Sequence, residues 1–195
     1  MPINHSYPPM LSEEELIKGC CNNDQSSQKQ LFERFSGRML VVGMRYTKSR
    51  FEAEDIIQEA FIKVFENIKK FRRECPLEQW IKRIVINTAL KQNRSKLYLY
   101  PAVDIDTLNE VIPEVELTLS NFHFQELLES IQRLPTRCQI IFNLYAMEGY
   151  THQEIADMLN IQEGTSKSQY ARARMLLQSM LQRNKDIDYE QFRTR

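Results

Sequence analysis

The sequence predicts an all-α protein of two small helical domains, an N-terminal helical bundle and a C-terminal four-helix domain, joined by an irregular acidic linker. Only 5 of the 195 residues are glycine, which argues against a glycine-rich nucleotide fold. Apolar residues recur at three- and four-residue steps on both sides of residues 97–120, the spacing of amphipathic helices. Residues 97–120 themselves contain two prolines, no basic residue and no helical period, which indicates a linker. We therefore predict a tail at 1–11, domains at 12–96 and 121–183, and a second tail at 184–195.

Charge is distributed in blocks, although the formal net charge is zero. Residues 63–96 carry ten basic and three acidic residues, whereas residues 97–131 carry seven acidic residues and no basic one. The basic block predicts a surface that faces phosphates. No apolar run approaches the length of a membrane span, and the N-terminus lacks the pattern of a signal peptide. We expect a cytoplasmic protein.

Neither the cysteines nor the histidines form a metal-binding pattern. Cys20, Cys21, Cys75 and Cys138 contain no C-x-x-C pair, and the three histidines are scattered. We predict reduced thiols, no metal and no cofactor. A nucleophile–base pair and a phosphate-binding loop are also missing from the sequence, so an enzyme is not expected.

Four helices are predicted in the first domain. Ser12, followed by three glutamates, begins a short helix that ends near Cys20. Asp24 caps the next helix, which runs from Gln25 to about Thr47. The third helix runs from about Phe51 to Lys69, and the fourth covers residues 76–96 with Pro76 in its first turn.

The third helix has two distinct faces. One face is apolar and should lie in the core; it consists of Ile57, Ala60, Phe61, Val64, Phe65 and Ile68. Four other side chains share a second stripe at i, i+3, i+4 and i+7, namely Asp55, Gln58, Glu59 and Ile62. The residues alone leave two interpretations of this stripe, a solvated face or a docking surface.

The fourth helix also combines a buried stripe with a polar remainder. Its predicted core positions are Leu77, Ile81, Ile84, Val85 and Thr88. The remainder is mostly basic and consists of Lys82, Arg83, Asn87, Lys91 and Arg94. Trp80, the only tryptophan, is expected to pack against protein and not to stack on a base.

The second domain ends in two helices with a tight corner between them. Helices are first predicted at Asn121–Arg133 and from Pro135 to about Glu148, with Gly149 as C-cap. Thr151 and Glu154 then form a capping box, and Asn160 can end that helix in a left-handed conformation. A longer polar and basic helix follows, with Tyr170, Ala173 and Leu177 on its apolar side. The layout is either an ordinary pair of surface helices or a helix-turn-helix that enters the major groove, and the basic second helix favours DNA binding.

Three segments resemble one family of transcription factors. The stretches are AEDIIQEAFIKVF, QRLPTRCQIIFNLYAMEGYTHQEIADML and YTHQEIADMLNIQEGTSKSQYARARMLL. They are similar to small bacterial sigma factors of the extracytoplasmic-function (ECF) group. The resemblance covers about residues 12–96 and 121–183, in the same order. It implies a factor that directs core RNA polymerase to promoters and promotes DNA opening, with core polymerase and promoter DNA as partners and an anti-sigma factor as a further candidate.

The resemblance also implies roles for individual residues. It assigns the stripe Asp55, Gln58, Glu59 and Ile62 to contact with the polymerase clamp. It assigns the loop and helix after residue 70 to the opened −10 element, through Arg72, Arg73, Glu74, Lys82, Arg83, Asn87, Lys91 and Arg94. It assigns the last helix to the −35 element, through Thr165, Ser166, Lys167, Ser168, Gln169, Arg172 and Arg174. In the family, the linker threads the polymerase channels.

The sequence departs from the family pattern in two places. The −10 loop carries Arg73, Cys75 and Pro76 where the family commonly has small residues, often glycine and serine. The recognition helix carries Ser166 where the family often has an apolar residue, and Gln169 where it often has arginine. Both departures concern the DNA sequence that is read. A repressor or activator with an N-terminal sensing domain is the alternative, and it would bind DNA without polymerase.

Overall fold

The computed structural model describes residues 11–99 and 124–193, and side chains within residues 11–94 and 124–182. All regular structure in these ranges is helical. The α-helices are α1 (Glu13–Cys21), α2 (Gln25–Met44), α3 (Arg50–Asn67), α4 (Leu77–Leu99), α5 (Phe124–Arg133), α6 (Thr136–Phe142), α7 (His152–Leu159) and α8 (Glu163–Arg193). A 3₁₀ turn, Ile68–Lys70, follows α3, and a π-helix, Asn143–Met147, follows α6. The predicted linker from residue 100 onward and the first three residues of the predicted helix at 121 lie outside the described residues.

The described chain forms two compact units. The first extends up to Gly43 and continues with Ala53–Thr88, and the second consists of Met44–Glu52 and the chain from Ala89 onward. The predicted functional domains, 12–96 and 121–183, are defined differently, by resemblance. They remain a prediction.

The first unit has the predicted amphipathic helices. Ser12 and Glu15 form a capping box at the start of α1, and the Asp24 carboxylate accepts the Ser27 amide at 2.8 Å at the start of α2. The predicted apolar face of α3 is buried except for half-buried Phe65. In α4, Ile84 is only half-buried, and Ile86 is buried although it was not predicted to be. The core prediction for this unit is thus confirmed apart from these positions.

The second unit is built around α8. Its core contains Leu127, Ile131, Leu134, Cys138, Phe142, Ala173, Leu177 and Leu181. The helix predicted from Pro135 to Glu148 is not a single α-helix, because the π-helix replaces its last part. Gly149 then has a φ of 80°, a left-handed conformation that glycine adopts without steric cost.

The segment Met44–Glu52 is held in the second unit by polar side chains. The Gln139 amide donates to the carbonyl oxygens of Arg45 and Thr47, at 2.9 and 3.1 Å. Arg45 pairs with Glu148 at 2.7 Å, and only 10% and 2% of these two side chains are exposed. Gln139 is itself 1% exposed, so these backbone carbonyls satisfy an amide that would otherwise be costly to bury.

Three predicted boundaries are wrong. α2 ends at Met44 and does not continue to about Thr47. α4 continues to Leu99, so residues 97–99 of the predicted linker are helical. The first proline after Lys96 is Pro101, and a proline disfavours the helical conformation at the residue before it. α8 continues to Arg193, so most of the predicted tail at 184–195 is helical. Residues 182–193 contain neither glycine nor proline, so no helix breaker separates them from the preceding turns.

Candidate nucleic-acid interface and docking face

The α3 stripe, defined as Asp55, Gln58, Glu59 and Ile62, lies on the outside of the first unit. Asp55 and Gln58 are exposed, and Ile62 is 59% exposed. Glu59 is half-buried and accepts a hydrogen bond from the Lys63 ammonium at 2.7 Å, while Lys63 also donates to the Thr88 hydroxyl at 3.0 Å. The stripe therefore combines an exposed isoleucine with the exposed Asp55 carboxylate and Gln58 amide, on the side of α3 away from its buried apolar face.

The loop between the 3₁₀ turn and α4 forms one side of a surface pocket. The pocket has a volume of about 430 Å³ and is lined by Lys70, Phe71, Arg72, Glu74, Cys75, Trp80 and Arg83. The Phe71 and Trp80 rings pack 5.2 Å apart at 43°, so Trp80 contacts protein as predicted while it also lines the pocket. Two aromatic rings beside three basic side chains suit an unstacked base and its phosphates.

A cationic face of α4 continues from this pocket. Arg83, Asn87, Lys91 and Arg94 are all exposed. Their spacing of i, i+4, i+8 and i+11 places them on one side of the helix. Lys82 lies on a different side and is half-buried. The structure thus brings together the predicted −10 residues from Arg83 onward and leaves Lys82 apart from them.

Arg73 has a strained backbone in the loop that precedes α4. Its φ is 59°, a left-handed value that glycine adopts freely and arginine does not. The guanidinium pairs with Glu14 at 2.7 Å, with both side chains mostly exposed. Arg73 therefore has the left-handed backbone conformation that is expected of a small residue such as glycine, although its side chain is large and charged.

The helix-turn-helix corner has the predicted caps. Thr151 and Glu154 form a complete capping box at the start of α7. Their hydrogen bonds lower the pKa of the Glu154 carboxyl. Asn160 ends α7 with φ 53° and ψ 54°, the left-handed conformation expected from the sequence.

Two residues of the predicted −35 interface face inward. Ser166 and Gln169 are 0% and 5% exposed. The Gln169 side-chain oxygen accepts a hydrogen bond from the buried Cys138 thiol at 3.2 Å. They share the inward stripe of α8 with Tyr170, Ala173 and Leu177, at i, i+3, i+4, i+7 and i+11. A role for Ser166 and Gln169 in reading bases is therefore not supported by their placement, because base edges cannot reach buried side chains.

The outward face of α8 has small residues along the first part of its centre, one exposed methionine further on, and polar residues along its borders. Successive residues turn by about 100°, which puts Gly164, Ser168, Ala171 and Met175 near the middle of this face. Lys167 and Arg174 follow one border, and Thr165 and Arg172 follow the other. Lys167 and Ser168 are exposed, whereas Thr165, Arg172 and Arg174 are half-buried. The Arg174 guanidinium lies 5.9 Å from the centre of the Tyr170 ring.

Aromatic side chains connect α8 with α7 and the π-helix. The Tyr145 and His152 rings are stacked at 4.2 Å and 10°, and Tyr145 also packs at 4.5 Å against Tyr170. The His152 Nδ1 atom lies 2.9 Å from the Ser166 hydroxyl. Burial, followed by the charge of Lys167, lowers the pKa of His152, while Glu163 acts in the opposite direction. Tyr145, His152 and Tyr170 were not among the predicted site residues. The pocket residues Arg72, Glu74 and Arg83 were predicted, but its two aromatic residues, Phe71 and Trp80, were not. Aromatic residues beside basic ones are the signal in the sequence that could have indicated them.

Both parts of the chain match families of known proteins. Residues 31–96 match the family described as Sigma-70 region 2. Residues 124–177 match the family described as Sigma-70, region 4. The chain belongs to the sigma-70 family. It is a sigma factor of the ECF group, which confirms the resemblance, the two-domain helical fold and the function predicted from sequence.

Curated relatives match this sigma factor along most of their length. It is 27% identical over 184 residues to the ECF RNA polymerase sigma-E factor of Haemophilus influenzae, covering 88% of this chain and 96% of that protein. It is 26% identical over 183 residues to the sigma-E factor of Escherichia coli strain K12, covering 88% and 95%. The similarity therefore extends across both domains and is not confined to the helix-turn-helix.

Two solved structures also align with most of this chain. One is the sigma factor RpoE in complex with the anti-sigma factor NepR from Bartonella quintana, with a TM-score of 0.49, 20% identity, and coverage of 79% of this chain and 96% of that one. The other is CnrH in complex with the cytosolic domain of CnrY, with a TM-score of 0.46, 16% identity, and coverage of 87% and 97%. Among the helices that the structure describes in this sigma factor, none is long and apolar enough to cross a membrane.

Proposed function

We propose that this sigma factor works through three surfaces: the α3 stripe docks on core polymerase, the loop pocket and α4 hold the opened −10 element, and α8 reads the −35 element. The domains are those predicted from sequence, 12–96 for core and −10 binding and 121–183 for −35 binding. We further propose that the protein acts in the cytoplasm, has no enzymatic activity and is held by an anti-sigma factor.

The observation that carries the proposal is the composition of the α3 stripe. An isoleucine that is 59% exposed beside Asp55 and Gln58 does not stabilise the folded unit, because its apolar surface stays in water. A partner that covered Ile62 would gain this buried area, while Asp55 and Gln58 would fix the register. The pairing of Glu59 with Lys63 makes Glu59 the least available member of the stripe.

The loop pocket and the cationic face of α4 are suited to single-stranded DNA. Phe71 and Trp80 supply a stacking surface, and Arg72 and Arg83 supply positive charge at the pocket rim. Asn87 is exposed one helical turn beyond Arg83, and its amide can donate to and accept from a base edge. The strained loop backbone at Arg73 fits a site that is shaped for a ligand.

The outward face of α8 is suited to duplex DNA. Gly164, Ser168 and Ala171 are small, which allows the helix axis to approach the floor of a major groove. Arg174 on one border, and Arg172 on the other, can reach the phosphates of the two strands. On this proposal Thr165, Lys167 and Ser168 supply the base contacts near the start of the helix.

Core binding by the α3 stripe is tested with the variant Asp55→Arg/Ile62→Ser. Removal of the apolar contact together with reversal of a charge should weaken affinity for core polymerase by at least about tenfold. The affinity is measured by fluorescence anisotropy of labelled full-length protein titrated with core polymerase.

The matched control is Glu33→Arg, an equal reversal at an exposed position of α2 outside the stripe. It should bind core like wild type, and circular dichroism should show equal helix content in all three proteins. If the stripe variant and the control bind core equally, docking occurs elsewhere. If wild type binds promoter DNA but not core, the regulator without polymerase becomes the correct interpretation.

A further inference from the structure

A polar contact connects the two helices of the helix-turn-helix. His152 is the first residue of α7, and its ring Nδ1 atom lies 2.9 Å from the hydroxyl of Ser166 in α8. Ser166 is 0% exposed, and a buried hydroxyl without a partner is costly. Residues Thr165 and Lys167 flank Ser166 directly, so this contact fixes the turn of α8 that carries the proposed base readers.

The His152 ring is itself held in place. Tyr145, supplied by the π-helix, is nearly parallel to it at 4.2 Å. Tyr170, one turn after Ser166, packs against it at 5.7 Å and 59°. His152 therefore contacts α8 at two positions four residues apart, which lie on the same face of that helix.

Contacts with a preferred direction determine how α8 is rotated about its own axis. Ala173 and Leu177 bury α8 further along, but apolar burial has no preferred direction. Besides the His152–Ser166 contact, the hydrogen bond from the Cys138 thiol to Gln169 is a second directional contact on this stripe. A rotation of about 20° would move a side-chain end about 5 Å from the axis by about 2 Å. This displacement is enough to break a hydrogen bond to a base edge, since such bonds need about 3 Å between heavy atoms.

We infer that His152 is a positioning residue that sets the rotation of α8 and thereby aims Thr165, Lys167 and Ser168 at the −35 bases. The inference rests on the proposed role of α8 in reading the −35 element. His152 touches no base itself. It acts through the Ser166 hydroxyl and the Tyr170 ring.

The test measures sequence discrimination by the complete holoenzyme. A −35 sequence is first selected with wild-type holoenzyme. Holoenzyme affinity is then measured for the selected promoter and for a promoter with a scrambled −35 and the same −10, and the ratio of these two affinities is the quantity compared between variants. His152→Phe keeps a ring for stacking but removes the hydrogen bond, and Ser166→Ala removes the same bond from the other side. Each should lower the affinity ratio about five- to tenfold, the size expected for weakened base contacts.

A conservative variant separates positioning from stability. His152→Asn places an amide near the former Nδ1 atom, so its ratio should stay within about twofold of wild type. The affinity ratio of the double variant His152→Phe/Ser166→Ala should be no lower than that of the more affected single variant, because both changes remove the same hydrogen bond. Helix content and melting temperature are recorded for every protein. A purely structural role would lower the melting temperature and leave the ratio unchanged.

Two results would overturn the inference, and they are distinguishable. If His152→Phe and Ser166→Ala keep the wild-type ratio while Lys167→Ala/Ser168→Ala lowers it, α8 reads bases but His152 does not aim it. If Lys167→Ala/Ser168→Ala also keeps the wild-type ratio, the proposed reading of bases by α8 fails, and the positioning role fails with it.

Discussion

Gln169 shows how a single residue can be assigned to the wrong side of a helix. Its type and its place in a basic helix favour adenine recognition, but its side chain is 5% exposed and bonded to Cys138. Burial raises the pKa of the Cys138 thiol, so the thiol stays protonated and can donate to the amide oxygen. The physical role of Gln169 is therefore to satisfy a buried polar pair inside the second unit.

Replacement of Gln169 by arginine should accordingly lower the stability of the protein and not change the −35 sequence that it prefers. Gln169→Arg would bury a guanidinium without a carboxylate, and we expect it to lower the free energy of unfolding by about 3 kcal/mol. Urea denaturation of the full-length protein, followed by circular dichroism, measures the change. The neighbouring Ser168→Arg adds the same charge at an exposed position and should stay within about 0.5 kcal/mol of wild type. Equal stability of the two variants would contradict the inward placement of Gln169.

Elements were predicted well where local chemistry decides the structure. The helix start at Ser12, the capping box at Thr151 and the left-handed Asn160 depend on residues within a few positions of each other. The π-helix at Asn143–Met147 was not predictable in this way, because its sequence also suits an ordinary α-helix. The inward position of Ser166 was missed for a related reason: a polar residue can be buried if a distant partner, here His152, satisfies it.

The start of α7 should make the second unit sensitive to acid. Burial and Lys167 lower the pKa of His152 in the folded state, and the positive end of a helix dipole also disfavours a charged ring. The charged groups that act on His152 are Lys167 and Glu163 of α8. The Tyr145 and Tyr170 rings pack against the imidazole, and the Arg174 guanidinium lies over the Tyr170 ring. An unfolded histidine titrates near pH 6.5, so below this pH the unfolded chain binds more protons than the folded one. The stability that a neutral His152 contributes is therefore fully present above about pH 6.5, and it is lost as the pH falls below this value.

The measurement is the free energy of unfolding between about pH 7.5 and 5.5, the range on either side of the unfolded value. Wild type should lose more stability over this interval than His152→Asn, which has no ring to protonate. The other histidines are common to both proteins and cancel in the comparison. Parallel curves would mean that His152 is protonated equally in the folded and unfolded chains.

At the scale of the whole molecule, the sequence predicted two helical domains but not which segments pack together. Residues 44–52 connect the end of α2 to the first turn of α3, yet they belong to the second compact unit. No local pattern indicates that Gln139, seen in the sequence only as a polar residue in an apolar helix, binds carbonyl oxygens more than ninety positions away. Which sides of α3 and α4 are exposed was better predicted, because each side lies on one helix and follows its periodicity.

The buried pair Arg45–Glu148 allows a test of this long-range packing in the intact chain. Arg45→Met leaves the Glu148 carboxylate buried without its cation, since only 2% of that side chain is exposed. We expect a loss of about 3 kcal/mol in the free energy of unfolding. The double variant Arg45→Met/Glu148→Met should recover to within about 1 kcal/mol of wild type, because it replaces both charges with apolar side chains of similar length. The Arg45 carbonyl still accepts the Gln139 amide in both variants. Urea denaturation of the four proteins of this cycle gives the coupling energy between the two positions. A coupling energy near zero would show that residues 44–52 do not pack in the second unit in solution.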